Sequence, residues 1–112
     1  MNRKNLSMTL VFVMVALLLS IAVAADAGGS ASAHSTGASA YAWSDVEADL
    51  LARARINSLL YIANDTNEGM ATSASASVSS SDLNRVDEYP PTASYATAWV
   101  GDYEYDWESW SS

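Results

Sequence analysis

Cysteine is absent from this 112-residue chain. That excludes a disulfide staple and any thiolate metal site, so a small product must gain stability in another way, of which oligomerisation is the natural one. Histidine occurs once, as His34, in a Ser/Ala tract with no acid or nucleophile pattern beside it, so no Ser-His-Asp arrangement can be assembled around it. Bases are scarce: five Lys and Arg stand against thirteen acids, and two of the five, Arg3 and Lys4, lie at the extreme N-terminus. Binding to phosphate backbones and anionic membrane surfaces needs Lys and Arg, so neither nucleic acid nor such a surface is expected as a partner. A Gly-rich phosphate loop and a transition-metal ligand spacing are also missing. The chain is therefore not expected to be an enzyme, nor to carry a cofactor.

Only one long apolar run is present. Leu6 to Ala25 follows a charged head and is broken by Ser7, Thr9 and Ser20, and Ala22-Val23-Ala24-Ala25-Asp26-Ala27 supplies small residues for cleavage. This is the layout of a secretory signal peptide over residues 1–25, forming an apolar helix. At about twenty residues the run is also long enough for an uncleaved membrane anchor. Either way the remainder is exported, secreted or held at the cell surface, and it touches a membrane only through this segment if it is retained. Three bases (Arg53, Arg55, Arg85) then face thirteen acids, leaving the mature chain at 3 − 13 = −10. Such a molecule repels its copies unless cations, salt or ordered pairing intervene.

What the chain does have is alternation. In Ser44 to Ile62 the even positions carry Val46, Ala48, Leu50, Ala52, Ala54 and Ile56, while the odd ones carry Asp45, Glu47, Asp49, Arg53, Arg55 and Asn57 around Leu51. Side chains alternate across a strand, so one face can be buried and the other charged. A helix over 44–63 competes, since Ser44 and Glu47 make a capping box and Ala, Leu and Arg favour helix. At 100° per residue the charges scatter and Glu47 breaches the apolar stripe, which favours strand. Two copies paired antiparallel about Leu51 would set Asp49 against Arg53 and Glu47 against Arg55, and Asp45 against Asn57. Complementary cross-strand pairs contribute about 0.2–1 kcal/mol each, enough to fix a register between identical chains. The same acid-first, base-last order also suits a helix macrodipole.

Either side of this stretch lie Ser/Ala tracts. Residues 26–42 read as a linker or a strand, ATSASASVSSS (71–81) repeats the alternation, and Asn64 to Gly69 is a cluster of turn formers. Pro90-Pro91 should break the structure. The acidic remainder, 43–112, is expected to be a β-rich assembly region. In Thr92 to Trp110, Gly101-Asp102 between two alternating runs predicts a hairpin with a type II′ turn. Pairing outward sets Val100 against Tyr103, Ala98 against Tyr105 and Ala96 against Trp107, with Trp99 against Glu104 on the other face. Asp102, Glu104, Asp106 and Glu108 would then share one strand face and are weak Ca²⁺ candidates between subunits, against the default of a solvated face. Ala42-Trp43 and Ala98-Trp99, each preceded by Ser, Ala and Tyr, form a weak internal repeat. Asn64-Asp65-Thr66 is an N-glycosylation sequon.

The signal peptide followed by SASAHSTGASAYAW, ATSASASV and YATAWVGDYEYDWESW resembles the small Ala/Ser- and aromatic-rich exported proteins of methanogenic archaea, including amyloid-like proteins that build tubular cell sheaths. The resemblance implies a cross-β structural role with no catalytic residues. The fold expected is mainly β, with alternating strands and a C-terminal hairpin assembling between chains; an α+β fold is the alternative. The expected function is an extracellular structural protein that self-assembles into a fibre, sheath or surface layer. Asp45, Glu47, Asp49, Leu51, Arg53, Arg55, Trp99, Tyr103, Tyr105 and Trp107 would carry the assembly, with the chain itself as partner. The alternatives are a carbohydrate- or protein-binding module, for which four Trp and six Tyr could hold cell-surface glycans, and a pilin-like subunit.

Overall fold

The computed structural model describes residues 26–112. The leader reading of residues 1–25 lies outside the described residues. Five strands follow in order: β1 (Ala27–His34), β2 (Gly37–Asn57), β3 (Ile62–Ser79), β4 (Ala93–Val100) and β5 (Tyr103–Ser111), with a single 3₁₀ turn at Ser80–Asp82. The fold is mainly β, and every pairing is antiparallel.

β2, at 21 residues, is the strand on which the others are hung. Ser44, Leu50, Ala52, Ala54, Ile56 and Ser58 are buried, while Asp45, Glu47, Asp49, Arg53 and Arg55 are exposed. The two-residue period therefore decides the structure of 44–57, and the helix expected as an alternative over 44–63 does not form. Hydrogen-bonded neighbours along both edges of β2 override the helix preference of Ala, Leu and Arg. Its first half pairs with β1 (Ala27 opposite Ser44, His34 opposite Gly37) and its second half, on the same edge, with β4 (Leu50 opposite Val100, Asn57 opposite Ala93). β3 covers the other edge of both halves.

Between the halves the strand bends. Trp43 opposes Ser73 and Ala48 opposes Ala71, so residues 44–47 face Thr72 alone. Extra residues on one strand bend it and increase its twist. The bend folds the sheet over on itself and lays β1 above β4. A Cβ built on Gly29 would lie 2.9 Å from the Ala98 Cβ, and Ser94 Oγ donates to the His34 carbonyl at 2.8 Å. One layer thus contains β1, the first half of β2 and the second half of β3. The other contains, in order, the first half of β3, the second half of β2, β4 and β5. β1 starts at the end that carries the 101–102 turn, and β5 finishes at the opposite end, where Ser111 pairs with Ala93.

The core between the layers is alanine: Ala38, Ala40, Ala42, Ala52, Ala54, Ala74, Ala76, Ala96 and Ala98 are buried, joined by Leu50, Ile56, Val78 and Leu83. The chain covers its own apolar face, contrary to the expectation that copies would cover it. Both Ser/Ala tracts are strands inside this unit: residues 29–42 are a hairpin turning at Ser35-Thr36, not a linker, and 71–79 belong to β3. Asn64 to Gly69, expected as a turn, is strand as well. β2 offers it ten paired positions from Ala48 to Asn57, and the chain reverses earlier, where Ser58 N donates to the Tyr61 carbonyl at 2.9 Å. Leu83, in the loop that precedes Pro90-Pro91, closes one end of the core, with Val86 and Tyr61 packed against it.

Candidate functional site

The C-terminal hairpin turns at Gly101-Asp102 as expected. Gly101 has φ +58 and Asp102 does not share a positive φ, which is the type II′ pattern. Val100 opposes Tyr103 and Trp99 opposes Glu104, but Ala98 then opposes Asp106, so Tyr105 is an extra residue in β5. From there on every side chain is on the other face from the one expected. Trp107 opposes Thr97 and not Ala96, and Glu108 opposes Ala96.

This bulge disperses the four acids. Asp102 is in the turn, and Glu104 accepts from Thr97 Oγ1 at 2.6 Å on the outer face. Asp106 faces the other layer and accepts the Ala31 backbone N–H at 2.8 Å. Asp102, Glu104, Asp106 and Glu108 thus do not share a face, and among the described residues no three acid or imidazole groups come together to hold a metal.

Asp106 has a counterpart. Asp65, on the inward face of β3, accepts the Ser77 backbone N–H at 3.1 Å. Ala31 and Ser77 lie on the two outer strands of the three-stranded layer, so each edge of that layer is capped by a carboxylate from the other layer. Charges turned onto an edge in this way discourage the addition of further strands. The four-stranded layer has no such caps. Along the outer edge of β5, and of β3 from 62 to 70, no backbone partner is present among the described residues. Tyr103, Tyr105 and Trp107 stand out from β5, 65%, 40% and 55% exposed.

Self-pairing of β2 about Leu51 is closed to this fold, because the strand is already paired on both edges. Asp49 faces Met70, Leu51 faces Glu68 and Trp99, Arg53 faces Thr66 and Thr97, and Arg55 faces Asn64 and Tyr95. Asp45 and Glu47 sit in the bend, where β2 has no ladder partner in β3 or β4. There Asp45 meets Asp26: the side-chain hydrogen bond between them, with some desolvation and the neighbouring charge, raises the Asp45 pKa above its ordinary 3.8.

The second half of β2 does bring together a different group. The outer face of the four-stranded layer carries Arg53 and Arg55 between Asn64 and Thr66 on β3 and Tyr95, Thr97 and Trp99 on β4, with Trp107 beyond on β5. Trp99 Nε1 donates to Thr97 Oγ1 at 2.7 Å. The indole therefore leans along the strand over its neighbour two residues back, and Thr97 is only 2% exposed although it is on the outer face. The arginines and Trp99 were legible as candidates. Tyr95 and Thr97 were not singled out, though they precede Trp99 by four and two residues and so share its face. Asn64, the sequon residue, is exposed on β3 opposite Arg55.

No family model matches this chain, and neither a curated protein nor a solved structure matches it.

Proposed function

We propose that this is an exported structural protein of the cell surface, not an enzyme, that builds a filament or layer from copies of itself by edge-to-edge addition of the four-stranded layer. The observation that carries this reading is the contrast between edges. On each edge of the three-stranded layer a carboxylate, Asp106 or Asp65, takes one backbone N–H, while the four-stranded layer ends in two strands on opposite sides that carry no such carboxylate. These strands suit each other: β5 has nine residues, the free part of β3 spans 62–70, and β5 runs antiparallel to β3. A copy displaced sideways would therefore continue an all-antiparallel sheet, and a head-to-tail contact of this kind does not close on itself.

The ladder gives the register. Thr66, Arg53, Thr97 and Trp107 lie in one row, as do Asn64, Arg55, Tyr95 and Ser109. Continued straight, the rows place Trp107 beside Thr66 of the next copy and Ser109 beside its Asn64. Glu104 then approaches Glu68 of the neighbour, so Ca²⁺ or low pH promotes assembly by removing like-charge repulsion.

The test is a charge pair introduced across that contact. Trp107→Asp should abolish filaments in electron micrographs, and Trp107→Asp combined with Thr66→Lys should restore them. Filaments formed equally by the parent and both variants would overturn this register.

A further inference from the structure

Arg53 and Arg55 are two residues apart on one face of one strand, hence roughly 7 Å from each other. Neither has a carboxylate within ion-pair reach: among the described residues the one ion pair joins Arg85 to Glu88. Their cross-strand neighbours, Thr66, Asn64, Thr97 and Tyr95, are all uncharged. On a molecule with thirteen acids, two neighbouring guanidinium groups without an ion-pair partner form a basic spot, bounded on one side by Glu68 and Glu104 in the next row of the same face. Each presents a planar fork of N–H donors that fits a carboxylate.

The surroundings of the spot narrow the choice of anion. Trp99 is fixed along the sheet by its bond to Thr97 Oγ1, which is itself bonded to Glu104. A side chain ordered in advance loses little entropy when something stacks on it. On the other side of the arginines, Arg53, Arg55, Ile62, Asn64 and Thr66 line a shallow trough of about 410 Å³. The face therefore offers apolar ring surfaces, hydroxyl and amide groups, and two cationic forks side by side. An acidic tip from another copy would use the forks and leave the rings uncovered. A chain of sugar rings bearing acid groups uses all three.

We propose that the outer face of the four-stranded layer binds a linear uronic-acid polysaccharide, with Arg53 and Arg55 taking its carboxylates and Trp99, Tyr95 and Trp107 stacking on its rings. Asn64 and Thr66 reach the hydroxyls. Arg53, Arg55, Tyr95 and Trp99 lie on the two inner strands of the layer and serve in a single copy and in an assembly alike, whereas Trp107, Asn64 and Thr66 are carried by the edge strands that the proposed assembly would join.

Affinity electrophoresis in gels containing polygalacturonate or dextran tests this at about 0.15 M salt, where the Debye length of ≈ 8 Å screens the repulsion between two polyanions. The purified protein, made without glycosylation so that Asn64 is unmodified, should be retarded by polygalacturonate and not by dextran. R53Q/R55Q should bind about tenfold more weakly or worse, from the loss of charge-assisted bonds, and Trp99→Ala should also weaken binding. Arg85→Gln should bind as the parent does. Equal retention by dextran, or parent-like retention of an R53Q/R55Q variant that melts with the parent, would overturn the proposal. If R53Q/R55Q does not melt with the parent, R53K/R55K decides: it keeps the charges without the forks, and parent-like affinity would overturn the site.

Discussion

Alanine sets the spacing of this molecule. Facing sheets usually pack about 10 Å apart around interdigitating side chains, but here Ala42, Ala52, Ala54, Ala96 and Ala98 are fully buried and Gly29 comes up directly against Ala98. A methyl group buries little area at about 25 cal/mol per Å², so the layers must approach closely for such a core to exclude water. That closeness leaves no room for growth. Ala98→Leu should destabilise the fold by about 1–3 kcal/mol through overpacking, read as a lower urea midpoint. An unchanged midpoint would mean that the layers can separate freely at this point. The Ala and Ser positions were legible in the sequence as the two faces of strands. Which surface the Ala face would meet was not, because alternating small residues fit a neighbouring chain as well as a folded-back part of their own.

At the scale of the element, β5 shows how one residue redirects a strand. The turn at Gly101-Asp102 was legible because only a few residue types accept φ > 0 there. The bulge at Tyr105 was not, since the alternation of Tyr, acid and Trp runs on unbroken from Tyr103 to Glu108 and gives no sign of a slip. The bulge turns the Asp106 carboxylate to Ala31 N. Asp106→Ala should leave that N–H without an acceptor, at a cost of about 1–3 kcal/mol. Hydrogen exchange at the Ala31 amide should quicken markedly, while the Asp65-capped Ser77 amide should not change; no difference at Ala31 would mean that the cap is dispensable. The helix alternative for β2 and the turn expected at 64–69 failed for a related reason: partner strands decided both, and partners are not visible in a local window.

At the scale of the whole molecule, acid dominates, and it is crowded where β2 bends. Because the folded state holds the Asp45 proton more tightly than the unfolded chain does, the stability tied to this group is full below the unfolded value. It is lost as pH rises through the raised folded one. Asp45→Asn should therefore flatten the fall in melting temperature just above the ordinary aspartate range; a parent-like slope would show that other acids set it. The bend itself has a mechanical consequence. β1 enters at one end of the molecule and β5 leaves at the other, each lying along the long direction of the strand it borders. Tension drawn through those two ends pulls β1 along β2 and β5 along β4, so the rungs of each ladder bear the load together and do not open one after another. A pull applied through those two ends therefore meets the molecule in its strongest direction.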